Sequence, residues 1–243
     1  MRVSIPSVDP VPPADLPLLA GLAPEQVAFL LAGAEVRDHP RGELLFREGE
    51  AADRLFLLRR GAVELFAGEG RRETTVLVLR PPEPFVPAAA LTDEPHLVSA
   101  RTLAPVRLLA LDAARVREEA SRSPELAYRF TRTLAGQFRT TVRHVKNLRL
   151  RTGPERLGAF LLRLVDEAGR HGRADLPLPK GRLASRLGLS AEALSRAIRL
   201  LNEQGMTVRG SRVVLTDRAK LERFCGPDPL IDGREPPLGA AAS

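Results

Sequence analysis

Near the end of the chain, Glu192, Ser195, Arg196 and Arg199 recur at i, i+3, i+4 and i+7, a spacing that sets them side by side on one face of a helix. An arginine in that position can grip guanine through two hydrogen bonds, and a glutamate can accept one from the cytosine amino group. Each of these residues alone reads equally well as a solvated face, with Glu192 merely offsetting the positive helix N-terminus. The opposite side favours the first reading, because Leu194, Ala197, Ile198 and Leu201 share the same period and press that side onto a core.

The surrounding residues build a scaffold for such a helix. Gly188 permits a tight turn and Ser190 can accept a backbone N–H as N-cap, so one helix is expected to end near 187 and another to start near 191. Residues 206–209 and 212–215 read as two short strands joined at Gly210 and Ser211, a hairpin wing. Thr152-Gly153-Pro154 looks like a helix start, and Leu157, Leu161, Leu164 and Val165 form its apolar stripe. A winged helix-turn-helix is therefore expected over 152–225, with Lys180, Arg182 and Ser190 completing the DNA-binding set.

Composition agrees with a nucleic-acid partner. The chain has 243 residues, 44% hydrophobic and 28% charged, ordinary for a globular protein of two domains. Residues 151–223 carry 15 Lys and Arg against 8 Asp and Glu, whereas residues 1–150 carry 21 against 19, so the excess that can neutralise phosphates lies on the reader. Only Lys146, Lys180 and Lys220 among the 37 basic residues are lysines, a bias that gives no single arginine special weight.

A lone Cys225 excludes an internal disulfide or a four-cysteine cluster, and His39, His96, His144 and His171 form no ligand pair. No nucleophile elbow or phosphate-binding loop occurs, so no enzyme and no metal site is expected. No long apolar window or signal peptide is seen, and the expectation is a cytoplasmic protein without membrane contact.

The first 150 residues read as a sensor. Pro6, Pro10, Pro12, Pro13 and Pro17 make residues 1–20 an extended arm. A short helix over 24–34 precedes apolar runs at 44–46, 54–58, 62–66, 74–79, 98–103 and 106–111, punctuated by glycines as in an antiparallel β-roll over 21–122. Residues 123–151 read as one long helix whose Phe130, Leu134, Phe138, Val142, Val145 and Leu148 recur near coiled-coil spacing. That stripe is expected to be a homodimer seam, with part of the roll beneath it, since a palindromic site needs two readers at a fixed separation. Residues 226–243 are a tail whose loss is expected to matter little, although Leu230 and Ile231 can dock back on a domain.

In that order, an α+β arrangement of roll, long helix and winged reader resembles the Crp/Fnr superfamily of transcription regulators. The likeness rests on R-G-E-L-L-F-R-E-G-E at 41–50, R-R-G-A-V-E-L-F at 59–66, R-R-E-T-T-V-L-V-L at 71–79 and E-A-L-S-R at 192–196. It implies base-contacting roles for Glu192, Ser195 and Arg196 at inverted repeats containing TTGA, a contact with RNA polymerase, and activation as the output. R-T-G-P-E-R-L-G-A-F-L-L-R-L at 151–164 and P-D-P-L-I-D at 227–232 are similar to FtrB-type regulators.

Departures from the family pattern bear on the effector. Members that bind a cyclic nucleotide carry a Gly-Glu pair and an Arg-Ser-Ala or Arg-Thr-Ala where this chain has Pro87-Ala88 and Val98-Ser99-Ala100. Without those charged anchors a phosphodiester would be enclosed uncompensated, so cyclic-nucleotide binding is not expected. Arg101, three residues from Val98, should face the other way. Phe85, Val86, Pro87, Ala88, Val98, Ser99 and Thr141 would line a degenerate effector pocket. The N-terminal cysteines of the iron–sulfur branch are absent. The branch that carries haem suggests His96 as an axial ligand, although a histidine in a turn after Asp93-Glu94-Pro95 is otherwise expected at the surface. The alternatives to a DNA-binding homodimer under an unknown effector are thus a haem or gas sensor of the same fold and a signalling adaptor that does not use DNA.

Overall fold

The computed structural model describes residues 16–68, 70, 73–81, 84–85, 87–169 and 172–233. The prolines at 6, 10, 12 and 13, Val86 and the end of the tail lie outside the described residues. In chain order the first half contains α1 (Pro24–Leu31), β1 (Glu35–His39), β2 (Leu44–Phe46), β3 (Arg54–Arg60), β4 (Val63–Ala67), β5 (Thr74–Leu79), β6 (Pro84–Phe85), α2 (Pro87–Thr92), β7 (Ser99–Thr102), β8 (Val106–Asp112) and α3 (Ala113–Arg122). The second half contains α4 (Pro124–Leu150), α5 (Gly153–Ala168), β9 (Arg173–Asp175), α6 (Lys180–Arg186), α7 (Ala191–Glu203), β10 (Met206–Arg209), β11 (Arg212–Leu215), α8 (Arg218–Cys225) and α9 (Pro229–Asp232). The main division into two compact units falls inside α4, between Gly136 and Gln137.

The first unit is built on two four-stranded sheets, ordered β1-β8-β3-β6 and β2-β7-β4-β5. Strands β3 and β8 pair antiparallel with Phe56 opposite Ala110 and Leu57 opposite Leu109, and successive side chains point to opposite faces. Phe56, Leu58, Leu108 and Ala110 join one core with Phe46, Val63, Leu65, Phe85 and Ala100. Leu55, Leu57, Leu109 and Leu111 join a second with Val27 and Leu30 of α1, Val116 of α3, and Leu126 and Phe130 of α4. Burial on both faces explains why β3 and β8 read as nearly unbroken apolar runs.

Two expectations are corrected here. Leu16, Leu18 and Leu19 are buried in the helix-side core, so the packed unit begins inside the stretch read as an extended arm; proline forbids a regular helix but not a turn that presents leucines. Phe130, read as part of a dimer seam, is 3% exposed and belongs to that same core. The first half of α4 thus packs in cis.

In the second unit, Leu157, Leu161, Leu162 and Val165 of α5 share a core with Leu183, Ala184, Leu194, Ala197, Leu201, Met206, Val213 and Leu221. The wing pairs β10 with β11, Val208 opposite Val213, and β9 adds a third strand beside β11. Gly205, between α7 and β10, has φ +90° and would place a Cβ 2.3 Å from the Asp217 carbonyl oxygen. Gly205→Ala is therefore expected to destabilise this unit by about 2 kcal/mol or more, lowering its Tm by roughly 10 °C. Gly210→Ala, at φ +62° with open space around it, is the control and should cost about 1 kcal/mol or less in calorimetry.

Candidate nucleic-acid interface

The helix-turn-helix is assembled by caps at each end of its turn. Helix α6 stops at Leu187, whose N–H donates to the Leu183 and Ala184 carbonyls, and Leu189 N–H returns to Ala184 at 2.9 Å. Gly188 takes φ +63°, and a Cβ there would stand 3.1 Å from Leu148 Cδ2; left-handed backbone and close packing both select glycine. Ser190 then caps α7, its hydroxyl accepting from Ala193 N–H at 3.1 Å.

Helix α7 is divided as its pattern implies. Leu194, Ala197 and Leu201 are buried and Ile198 is packed partly against them, while Glu192, Ser195, Arg196 and Arg199 are exposed. Hydrogen bonds from its own backbone N–H and from Ser190, with the positive charge of Arg196 nearby, hold the Glu192 carboxyl below its ordinary pKa, so it stands as an ionised acceptor. The Ser195 hydroxyl donates to Ala191 C=O at 2.9 Å, which leaves its lone pairs outward. On α6, Lys180 is exposed and Arg182 half-buried. Arg186 lies over the Phe160 ring at 5.7 Å, a packing role on an otherwise basic helix.

Sequence reasoning missed two residues of this surface. Arg209 and Arg212 are direct cross-strand partners at the open end of the wing and both are exposed. Like charges opposite each other weaken a hairpin and suit a surface that meets phosphates. The signal was present in R-G-S-R at 209–212, where arginines bracket the turn.

The reader is tied to the end of α4 by a buried cation. The Arg156 guanidinium donates to Leu187 C=O at 2.9 Å, to Arg151 C=O at 2.7 Å and to Leu148 C=O at 3.5 Å. Two of these carbonyls close the ends of α4 and α6, where the helix dipole is negative. Burial lowers the Arg156 pKa. Gly153, expected as a hinge, begins α5 with Leu189 Cδ2 2.5 Å from where its Cβ would be; its small size serves contact.

Beyond the cis-packed Phe130, the stripe on α4 opens to solvent. Leu134 is half-buried, and Phe138, Val142 and Val145 are 69%, 41% and 49% exposed, followed by exposed Leu148. A contiguous apolar row on a charged helix marks an association surface.

The effector segment lacks an open apolar face. Phe85 is fully buried and stacks on Phe56 at 5.1 Å and Phe46 at 6.3 Å. Pro87 is buried as the first residue of α2, Ala88 is exposed and Val98 half-buried. The Ser99 hydroxyl accepts from Glu48 N–H at 2.9 Å. Thr141 is exposed on α4, its hydroxyl turned back to Gln137 C=O. Arg101 meets the fully buried Glu64 at 2.7 Å and lies 3.8 Å over the Phe66 ring, on the face opposite Ala100 of the roll core. The surface reading of His96 is corrected: the ring is 3% exposed, stacks on Phe46 at 3.9 Å, and its Nδ1 has no hydrogen-bond partner. Burial lowers its pKa, so the neutral imidazole behaves as one more aromatic wall.

A β-roll, a long helix with an apolar row and a winged helix-turn-helix, in that order, define a DNA-binding transcription regulator. Comparison with known proteins agrees. Residues 36–123 match the cyclic nucleotide-binding domain family and residues 155–224 the Crp-like helix-turn-helix domain family. The cyclic AMP receptor protein of Thermus thermophilus is 30% identical over 207 residues, covering 84% of this chain and 94% of its own. The CRP-like cAMP-activated global transcriptional regulator of Mycobacterium tuberculosis is 27% identical over 213 residues, covering 85% and 95%. FixK2 from Bradyrhizobium japonicum shares the fold with a TM-score of 0.64 at 24% identity, over 78% of this chain and 96% of that one. The chain belongs to the Crp/Fnr family of transcription regulators. Among the described residues no helix is long and apolar enough to cross a membrane, and no group of three or more His, Cys, Asp or Glu is placed to hold a metal ion.

Proposed function

We propose that this protein is a homodimeric, sequence-specific activator that binds an inverted repeat and contacts RNA polymerase in the cytoplasm, with no catalytic role. Residues 21–122 sense, 123–151 dimerise and transmit, and 152–225 read. The observation that carries this reading is the exposed quartet Glu192, Ser195, Arg196 and Arg199 on a helix whose other side is locked into a core. Arg196 grips guanine and Glu192 accepts from cytosine, while Lys180, Arg182, Arg209 and Arg212 serve the phosphates and Ser190 holds the helix start. Selection from a pool of random duplexes tests it: the purified protein should enrich an inverted repeat with TTGA-like half-sites. Enrichment of no common sequence would contradict it and favour the adaptor.

The effector is proposed to be something other than a cyclic nucleotide. The activating cAMP named for the mycobacterial relative belongs to that protein; here Val98 stands where a phosphate-binding arginine would, and Phe46, Phe56, Phe85 and His96 fill the roll interior. Titration with cAMP or cGMP in a calorimeter should give no saturable heat in the micromolar range, and micromolar binding would overturn this part of the account. One observation keeps a haem reading in view: the buried His96 Nδ1 has no partner. A Soret band on reconstitution that His96→Ala abolishes would establish haem; the stacked ring and filled interior argue that none forms.

A further inference from the structure

The tail just beyond the reader is built into the corner where α4 hands over to α5. Arg151, the residue after α4, is 9% exposed although it carries a full charge. One terminal nitrogen donates to Asp232 Oδ1 at 2.7 Å and to Asn147 Oδ1 at 3.2 Å. The other donates to Asp232 Oδ2 at 2.6 Å and to Gly226 C=O at 2.8 Å. The guanidinium thus bridges α4, the cap of α8 and α9 in a two-pronged carboxylate contact.

The acceptor is itself held in place. Asp232 Oδ2 also accepts from Asp228 N–H at 2.9 Å, and Asp228 caps α9 by accepting from Leu230 N–H at 2.8 Å. Lys146 of α4 comes within 3.7 Å of Asp228. Ile231 is buried, whereas Leu230, its neighbour, is 70% exposed. A tail with no task would not bury a cation and satisfy it four times, since a partner left alone there would be an uncompensated charge. The silent tail expected from sequence is therefore corrected for 226–233.

We propose that α9 is an intramolecular clamp, with Arg151 and Asp232 as positioning residues that fix the angle between the end of α4 and the winged reader and so set the separation of two readers on DNA. The inference rests on the proposed dimeric reading of an inverted repeat. It concerns the geometry of recognition and leaves base contacts untouched. Freeing the corner lets each reader sample orientations that do not match both half-sites, and apparent affinity falls by the fraction that still match.

The test uses the full chain carrying Asp232→Asn, with Leu230→Ala as a control on the same helix. Two duplexes are titrated by fluorescence anisotropy: the inverted repeat selected by the wild-type protein, and the same duplex with one half-site scrambled. Asp232→Asn should weaken binding to the full repeat about tenfold and leave the scrambled duplex within about twofold; Leu230→Ala should change neither. Hydrogen exchange without DNA should quicken at the backbone amides of 148–156 while α7 stays protected. Unchanged affinity for the full repeat, equal losses on both duplexes, or unchanged exchange at the corner would each overturn the clamp. Failure of the wild type to select any repeat would instead sink the functional reading, and the exchange result would still judge the clamp by itself.

Discussion

Arg196→Ala is expected to reduce affinity for the inverted repeat by about 30-fold to 10,000-fold while leaving dimer and fold intact. A bidentate arginine–guanine contact supplies about 1–3 kcal/mol of discrimination, and a dimer makes it twice; every ~1.4 kcal/mol is a factor of ten. Arg196 is exposed and touches none of the reader's core, so thermal unfolding should move by no more than about 0.5 kcal/mol equivalent. Binding to random duplex should fall far less, because that term comes from phosphates. An affinity within threefold of wild type would remove Arg196 from the base-reading role.

Val142→Asp carries the second large effect. Val142 sits midway along the open row between Phe138 and Val145, and a dimer about this row would confront two carboxylates across an apolar seam. Removing an ionised carboxylate from water without a partner costs at least about 3 kcal/mol, so dissociation should strengthen by two orders of magnitude or more and monomer dominate at micromolar protein. Sedimentation velocity at several concentrations measures this directly. The reader should stay folded, since Val142 lies outside its core, and binding to a single half-site should persist while preference for the full repeat disappears. A dimer of unchanged strength would show that the row covers something else.

Readability differed by element for physical reasons. Helix α7 and the wing were legible because burial on one side and exposure on the other impose a period, and Ser190, Gly205 and Gly210 mark the ends. Strands β2 and β5 were placed to the residue because apolar runs there stop at turn signals. Strand β1, Glu35–His39, was invisible: it is a sheet-edge strand in which Val36 is the one apolar residue facing the helix-side core. Helix α3 hid for a related reason, since Ala113, Val116 and Glu119 are its buried positions and Glu119 is satisfied by Gln26 across 93 residues of chain.

Long-range polar pairs were the least legible of all. Glu64 with Arg101 and Arg151 with Asp232 join strands or helices far apart in sequence, and no local pattern distinguishes such residues from solvated ones in an arginine-rich chain. His96 belongs with them, because its burial depends on Phe46 arriving from another strand. The effector segment was misread as an open apolar face for the same reason: the run at 85–91 is apolar, but only the fold reveals that Phe56 and Phe46 already occupy the space beside it.

The most direct test of the central claim is a genome-wide protection footprint with the purified dimer and with Arg196→Ala, each at low and at physiological salt. The account predicts a recurrent inverted repeat that survives at physiological salt and vanishes in the variant, while diffuse binding is removed from both proteins by salt. Protection that is sequence-blind, lost with salt and indifferent to Arg196 would contradict DNA reading as the task of this chain.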